Sequence, residues 1–173
     1  MTQTPTEPAV RKDSAGHRDR IANRPAIVTA VLAGTSAIVS VYWGLGGRWL
    51  IDTVGGAIER IANRGGAAPV LLALGAAAAK VIAGFVALLL TIRPRSLKER
   101  RLVLSLNRLI AWIVTLYGFV QVIAGSLVLT GGIHATPTTD VHALRWHVFV
   151  WDLWFLVWGL ANLRAAKRYR KAT

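Results

Sequence analysis

Two opposite charges stand alone inside apolar runs: Lys80 in the second run and Asp152 in the fourth. A lone charge near the centre of a bilayer costs roughly 2.5–3.5 kcal/mol, so each needs a partner or a task. If both runs cross in the same direction, the two charges sit at similar depth, and pairing would offset much of that cost. The structural reading is an ion pair that fixes helix register. The functional reading is a proton or anion relay lining a polar cavity. Tyr42, Asn107, Gln121 and Asn162 are the candidate polar neighbours. Beside Asp152, Trp151, Trp154 and Trp158 recur at helical spacing, with His147 one turn before Trp151. Such a stripe could cradle a flat ring or a quinone head group; the plainer alternative is packing or an interfacial belt. His134, Asp140 and His142 are of metal-ligating type. No histidine pair has the i, i+4 spacing that puts two imidazoles on one helical face, so solvated loop residues are expected there and no metal is assigned.

These residues are positioned by an all-α chain, an integral membrane four-helix bundle. The hydrophobic share of 54% exceeds what one soluble core of 173 residues needs, and it is bunched in four blocks. Spans are predicted at about 26–47, 67–92, 109–130 and 143–163. The first is long enough to cross the hydrocarbon core, at about 33 Å as a helix. It is too long for a signal peptide and ends in no A-x-A site, so it reads as a retained span. Residues 1–24 read as a disordered tail, 25–163 as the four-span domain and 164–173 as a basic tail. Pro25 is expected in the first helical turn, where its missing N–H would be unpaired anyway.

Between the first two spans, Leu50, Ile51, Val54, Ile58 and Ile61 share one helical face, which predicts a short interfacial helix, with Gly55-Gly56 as its weak point. Ser36, Ser40 and Gly44 on span one, and Gly75, Ala79 and Ala83 on span two, form small-residue rows that would let those helices pack closely. Ser96-x-x-Glu99 is a capping box that starts the third helix near Leu97, two turns before its span. Asp140 is the expected N-cap of the fourth, after a turn containing Pro137.

The net charge of +13 is spread by position. Five Lys or Arg lie in residues 1–24, five in 93–101 and five in 164–173, against three in 48–66 and none in 131–144. The positive-inside rule then places both termini and the middle connector in the cytoplasm, with anionic headgroups as their partners. This accounts for the basic residues without nucleic acid. The expected location is the plasma (inner) membrane, multi-pass. There is no cysteine, which excludes disulfides, thiolate metal sites and thiol catalysis.

Tyr42-Trp43-Gly44-Leu45-Gly46-Gly47 closes span one, and Trp146-His147 followed by Trp151-Asp152-x-Trp154-Phe155-x-x-Trp158-Gly159 makes span four. Together they resemble the bacterial membrane family catalogued as domain of unknown function 3995, over about 26–163. The family often has a histidine two residues before the Tyr-Trp pair; here that position is Ser40. The resemblance implies a small four-span membrane protein and brings no activity, substrate or cofactor. It makes Tyr42, Trp43, Trp151, Asp152, Trp154 and Trp158 candidates for a shared core or site.

Two functions fit these observations. One is a binding module holding a small apolar or lipid-like ligand near Trp43, Trp151, Trp154 and Trp158, with Lys80 and Asp152 on its polar part. The other is an assembly subunit, joining copies of itself or another membrane protein, in which the pair is structural. An enzyme acting at the outer face through His134, Asp140, His142 and His147 runs third, with no nucleophile-elbow, P-loop or dinucleotide fingerprint behind it, and no cofactor can be named.

Overall fold

The structure, a computed structural model, describes residues 8–92, 94–136 and 139–172; the side chains of 8–22, 56–58 and 172 lie outside the description, as does Pro137 of the predicted turn. All regular structure among the described residues is helical. The elements are α1 (Pro8–Gly44), α2 (Gly56–Arg64), α3 (Ala67–Leu89), α4 (Leu97–Leu129), α5 (Val141–Trp146), a π-helical turn (His147–Trp151) and α6 (Asp152–Ala172). Four stretches are long and apolar enough to cross a membrane: Asn23–Gly44, Ala67–Leu89, Leu97–Leu129 and Val141–Lys171. Ile38, Leu71, Phe85, Trp112, Leu116 and Phe149 are all at least 60% exposed. An apolar surface of that extent belongs in lipid, not in water.

The helix starts and stops follow local chemistry. Ser96 Oγ accepts from Glu99 N at 3.1 Å and Glu99 reaches back to Arg95 N at 2.8 Å, so α4 begins at Leu97 as its capping box requires. Asp140 Oδ1 accepts from Ala143 N at 3.1 Å and caps α5. The Tyr-Trp-Gly-Leu-Gly-Gly string is the C-terminal cap of α1. Gly46 takes φ +90°, its N–H bonds Trp43 O at 3.0 Å, and Gly47 N–H bonds Tyr42 O at 2.9 Å. This is a Schellman motif, which needs a left-handed residue at the position of Gly46. A side chain at Gly47 would collide with the Tyr42 ring.

Three expectations need correction. Pro25 lies inside α1, which is assigned from Pro8, within the segment predicted to be disordered. The basic segment after 163 continues α6 as helix to Ala172, because Ala165, Ala166 and Tyr169 are buried against the bundle. The interfacial helix is confined to α2; residues 48–55 form turns, and the chain becomes helical only after Gly55, at φ +58°.

α1 packs along α3, and α4 along α6. Contact between α1 and α6 joins the two hairpins, whereas α3 and α4 touch only sparsely. Small residues set both seams, though not all those expected. On α3, Gly84 meets Ala33 and Ala30 of α1, while Gly75 faces open space and Ala79 is exposed. On α4, Ala111, Gly118 and Gly125 recur every seven residues and are all buried. A Cβ on Gly118 would press on the backbone of Leu156 and lie 2.9 Å from Asp152 O. Gly118→Ala should therefore lower stability by about 1–3 kcal/mol, the usual cost of overpacking, and Gly75→Ala should leave it nearly unchanged. Thermal unfolding in detergent checks this; a Gly118→Ala protein as stable as wild type would mean that the α4–α6 crossing is not backbone-limited.

Candidate functional site

Asp152 does not pair with Lys80; no ion pair joins them among the described residues. The partner of Asp152 is His147, whose Nδ1 lies 3.2 and 3.3 Å from the two carboxylate oxygens. In an α-helix residues five apart point about 140° away from each other. The π-helical turn removes that separation. Asp152 N–H bonds His147 O in the wider i→i+5 pattern, and both side chains come to one face. Asp152 is only 2% exposed.

The other ring nitrogen is held by the first connector. His147 Nε2 lies 2.9 Å from Val54 O. A carbonyl only accepts, so Nε2 carries a hydrogen, and one further proton lies between Nδ1 and the carboxylate. Both nitrogens are thus engaged, and the pair acts as a clamp. Beside it, Trp151 Nε1 donates to Thr53 Oγ1 at 3.1 Å, and the buried Thr53 hydroxyl donates to Leu50 O at 2.6 Å. Leu50 itself sits at φ +61°, a strained conformation for leucine, held by bonds to its carbonyl from both Thr53 donors. Gly55 makes the docking fit. Its φ +58° and ψ −171° are accessible essentially to glycine alone, and a Cβ there would lie 2.5 Å from Ala143 Cβ. Trp43 closes the cluster with an edge-on contact to Trp151 at 5.6 Å and an indole bond to Trp49 O at 2.9 Å. The Tyr42 hydroxyl accepts from Trp49 N–H at 3.2 Å.

Lys80 belongs to a different environment. Its Nζ donates to Ser40 Oγ at 2.8 Å and to Ser36 O at 3.3 Å, and stands 5.5 Å from the centre of the Phe155 ring. An ammonium has three donors, and two are used here. The group lines a mostly apolar cleft of about 320 Å³ where α3 and α4 part. Ser40, Trp43, Tyr117 and Phe155 share its wall, and Ile61 and Ala62 of α2 lie over it.

The predicted site residues therefore divide. Lys80 and Trp43 line the cleft; His147, Trp151 and Asp152 form the clamp at its connector end, with Tyr42 supporting the turn beside it. Trp154 and Trp158 are packing residues against α1: Trp154 Nε1 donates to Leu32 O at 3.2 Å, and Trp158 sits between Ala33 and Ala83. His142 Nε2 lies 3.8 Å from Asp52 on the exposed surface, Asp140 caps α5 and His134 is exposed. Among the described residues no group of three His, Asp or Glu converges as metal ligands. Thr53, the Val54 carbonyl, Tyr117 and Phe155 were not singled out by sequence reasoning. Val54 carries a signal as part of the connector's apolar face and Phe155 as part of the span-four motif, whereas the roles of Thr53 and Tyr117 arise from the fold alone.

These features define a multi-pass α-helical membrane protein with a polar clamp at one end and a cationic cleft open at its side. The chain belongs to the family of proteins of unknown function DUF3995, whose profile matches residues 33–162, about three quarters of its length. Comparison with curated proteins and with solved structures gave no match.

Removing one member of a buried pair strands the other's charge, at a cost of about 3–5 kcal/mol. His147→Leu should destabilise by that order, and His147→Leu with Asp152→Leu should recover much of the loss. Lys80→Leu with Asp152→Leu should instead be additive. Denaturation of the single and double variants measures the coupling; coupling between Lys80 and Asp152 in place of His147 and Asp152 would contradict the assignment.

Proposed function

We propose that this is a plasma-membrane protein of bacteria that binds a small lipid-like molecule in the cleft between α3 and α4. The observation that carries this reading is Lys80. A cation inside a span costs free energy, yet its protein partners are neutral oxygens and it keeps one donor toward an apolar cleft. A guest with an apolar body and one anionic or carbonyl oxygen end complements that arrangement. The volume lies at the small end for ligand pockets, enough for part of an acyl chain or one ring system. The opening toward lipid supplies a lateral route for such a guest.

The same reading places both termini and the α3–α4 connector in the cytoplasm. Arg95, Lys98, Arg100, Arg101 and the basic residues of 164–171 gather at that end of the bundle, where anionic headgroups would meet them. The clamp then lies near the outer surface. It holds the connector and α2 over the cleft, so it positions the wall without touching the guest.

Native mass spectrometry of protein extracted in mild detergent from its own membrane tests the proposal. A reproducible small-molecule adduct on the wild-type chain is expected. Lys80→Gln loses a charge-assisted contact of about 1.5–3 kcal/mol, and should bind about 10- to 100-fold more weakly. Equal occupancy in Lys80→Gln would overturn the role of Lys80. A homo-oligomer or a stoichiometric second chain, with no small molecule, would overturn the ligand reading in favour of an assembly subunit whose partner helix fills the cleft.

A further inference from the structure

A polar layer lies between two apolar layers in the half of the bundle nearer the termini. On one side Ala26, Leu90, Ala165 and Tyr169 pack with Val103 and Leu104. On the other Ala33, Ala83 and Trp158 pack with Leu32, Ile110 and Val114. Each layer joins α1, α4 and α6. Between them on α1 is Thr29, three residues after Ala26 and four before Ala33. On α4 it is Asn107, four after Val103 and three before Ile110. On α6 it is Asn162, four after Trp158 and three before Ala165. Spacings of three and four keep each residue on the face of its flanking layers, so the three side chains converge at one level.

Thr29 and Asn107 are 0% exposed, Asn162 1% and Trp158 2%. Yet Thr29 Oγ1, both amide atoms of Asn107 and of Asn162, and Trp158 Nε1 have no hydrogen-bond partner within the protein. A buried polar group without a partner carries its full desolvation penalty, most severely where lipid surrounds the bundle. Five such atoms at one level, with Trp158 Nε1 on the adjoining layer, constitute a site for something that bonds to them.

We propose that this layer holds internal water, about two molecules at roughly three hydrogen bonds each, bridging α1, α4 and α6. The chemistry selects the guest. Thr29, Asn107, Trp158 and Asn162 are all neutral, so an ion would lack a counter-charge. Their two amides, indole and hydroxyl present both donors and acceptors, so the guest must donate and accept. Apolar layers lie above and below, and the near-complete burial of Thr29, Asn107 and Asn162 confines the guest to a very small molecule. The layer of Ala33, Ala83 and Trp158 also separates this site from Lys80, so the inference is independent of the ligand in the cleft. Bridging water here links α1 and α4, which have almost no direct contact, and adds polar bonds to the closely packed α4–α6 seam.

Magnetisation transfer from water in ¹⁵N-labelled protein in lipid nanodiscs is the test. The side-chain amides of Asn107 and Asn162 and the indole N–H of Trp158 should show dipolar contacts at the water frequency, with opposite signs in the laboratory and rotating frames, which excludes simple proton exchange. In Asn107→Leu, with its backbone spectrum otherwise retained, the contact at Asn162 should be lost. The wild-type spectrum decides the matter if that variant does not fold. Amide-to-amide contacts between Asn107 and Asn162 with no water signal would overturn the proposal, as would side-chain shifts that follow added halide and so mark an ion site.

Discussion

Hydrocarbon offers no hydrogen bonds, so every polar side chain within this bundle must be answered from inside the protein. That constraint explains why the first connector is not a simple surface loop. Asp152 is balanced by His147, but the imidazole then presents a second N–H that also requires an acceptor. The connector supplies it by folding Val54 O onto the ring, and Thr53 by accepting from Trp151. The unusual backbone of Leu50 and Gly55 follows from this demand. A left-handed leucine and a glycine-only conformation are tolerated because the turn they shape answers two buried donors at once.

The same constraint shapes α5, the π-turn and α6. An uninterrupted α-helix would leave His147 and Asp152 on different faces and each without its partner. One i→i+5 bond, His147 O to Asp152 N–H, redirects the helix at the point where the pair is needed. Helix approach is the second consequence. With little hydrophobic drive between helices in lipid, close backbone contact must supply attraction. Gly118 and Gly159 provide it along the α4–α6 seam, Gly125 lets α4 approach Val148 of the π-helical turn, and Gly44 and Gly84 serve α1–α3.

Much of this could be read from residue types, and the failures have identifiable causes. The four spans, the capping box at Ser96 and the N-cap at Asp140 depend on local chemistry or on hydropathy summed over many residues, and both are explicit in the chain. The partner of Asp152 is not legible, because in α-helical periodicity a spacing of five carries no meaning. The seven-residue recurrence of Ala111, Gly118 and Gly125 was visible but is diluted in a chain with 16 glycines. The α3 row holds at Ala83, which packs with Ala33, and fails at Gly75 and Ala79, because small residues occur on more than one face of an alanine-rich helix. Lys80 was recognised as exceptional, yet its real neighbours, a serine hydroxyl, a backbone carbonyl and a phenyl ring, have no signature along the sequence.

The separation of Lys80 from Asp152 is what gives the cleft its sign. Had the two charges paired, each would have cancelled the other, and the cleft would be an apolar gap with no preference among guests. Instead, Asp152 is paired with His147 at the connector end, nearly out of contact with solvent. Lys80 meets only neutral oxygens and the face of a ring. Those contacts soften the desolvation of the ammonium but add no opposite charge, so its charge is left uncancelled beside the cleft. In a low-dielectric environment such a field acts over a longer distance than it would in water. Neutral hydrogen-bond partners therefore hold the cation in place while leaving its charge available, and the anion is removed from competition by a histidine that the connector orients.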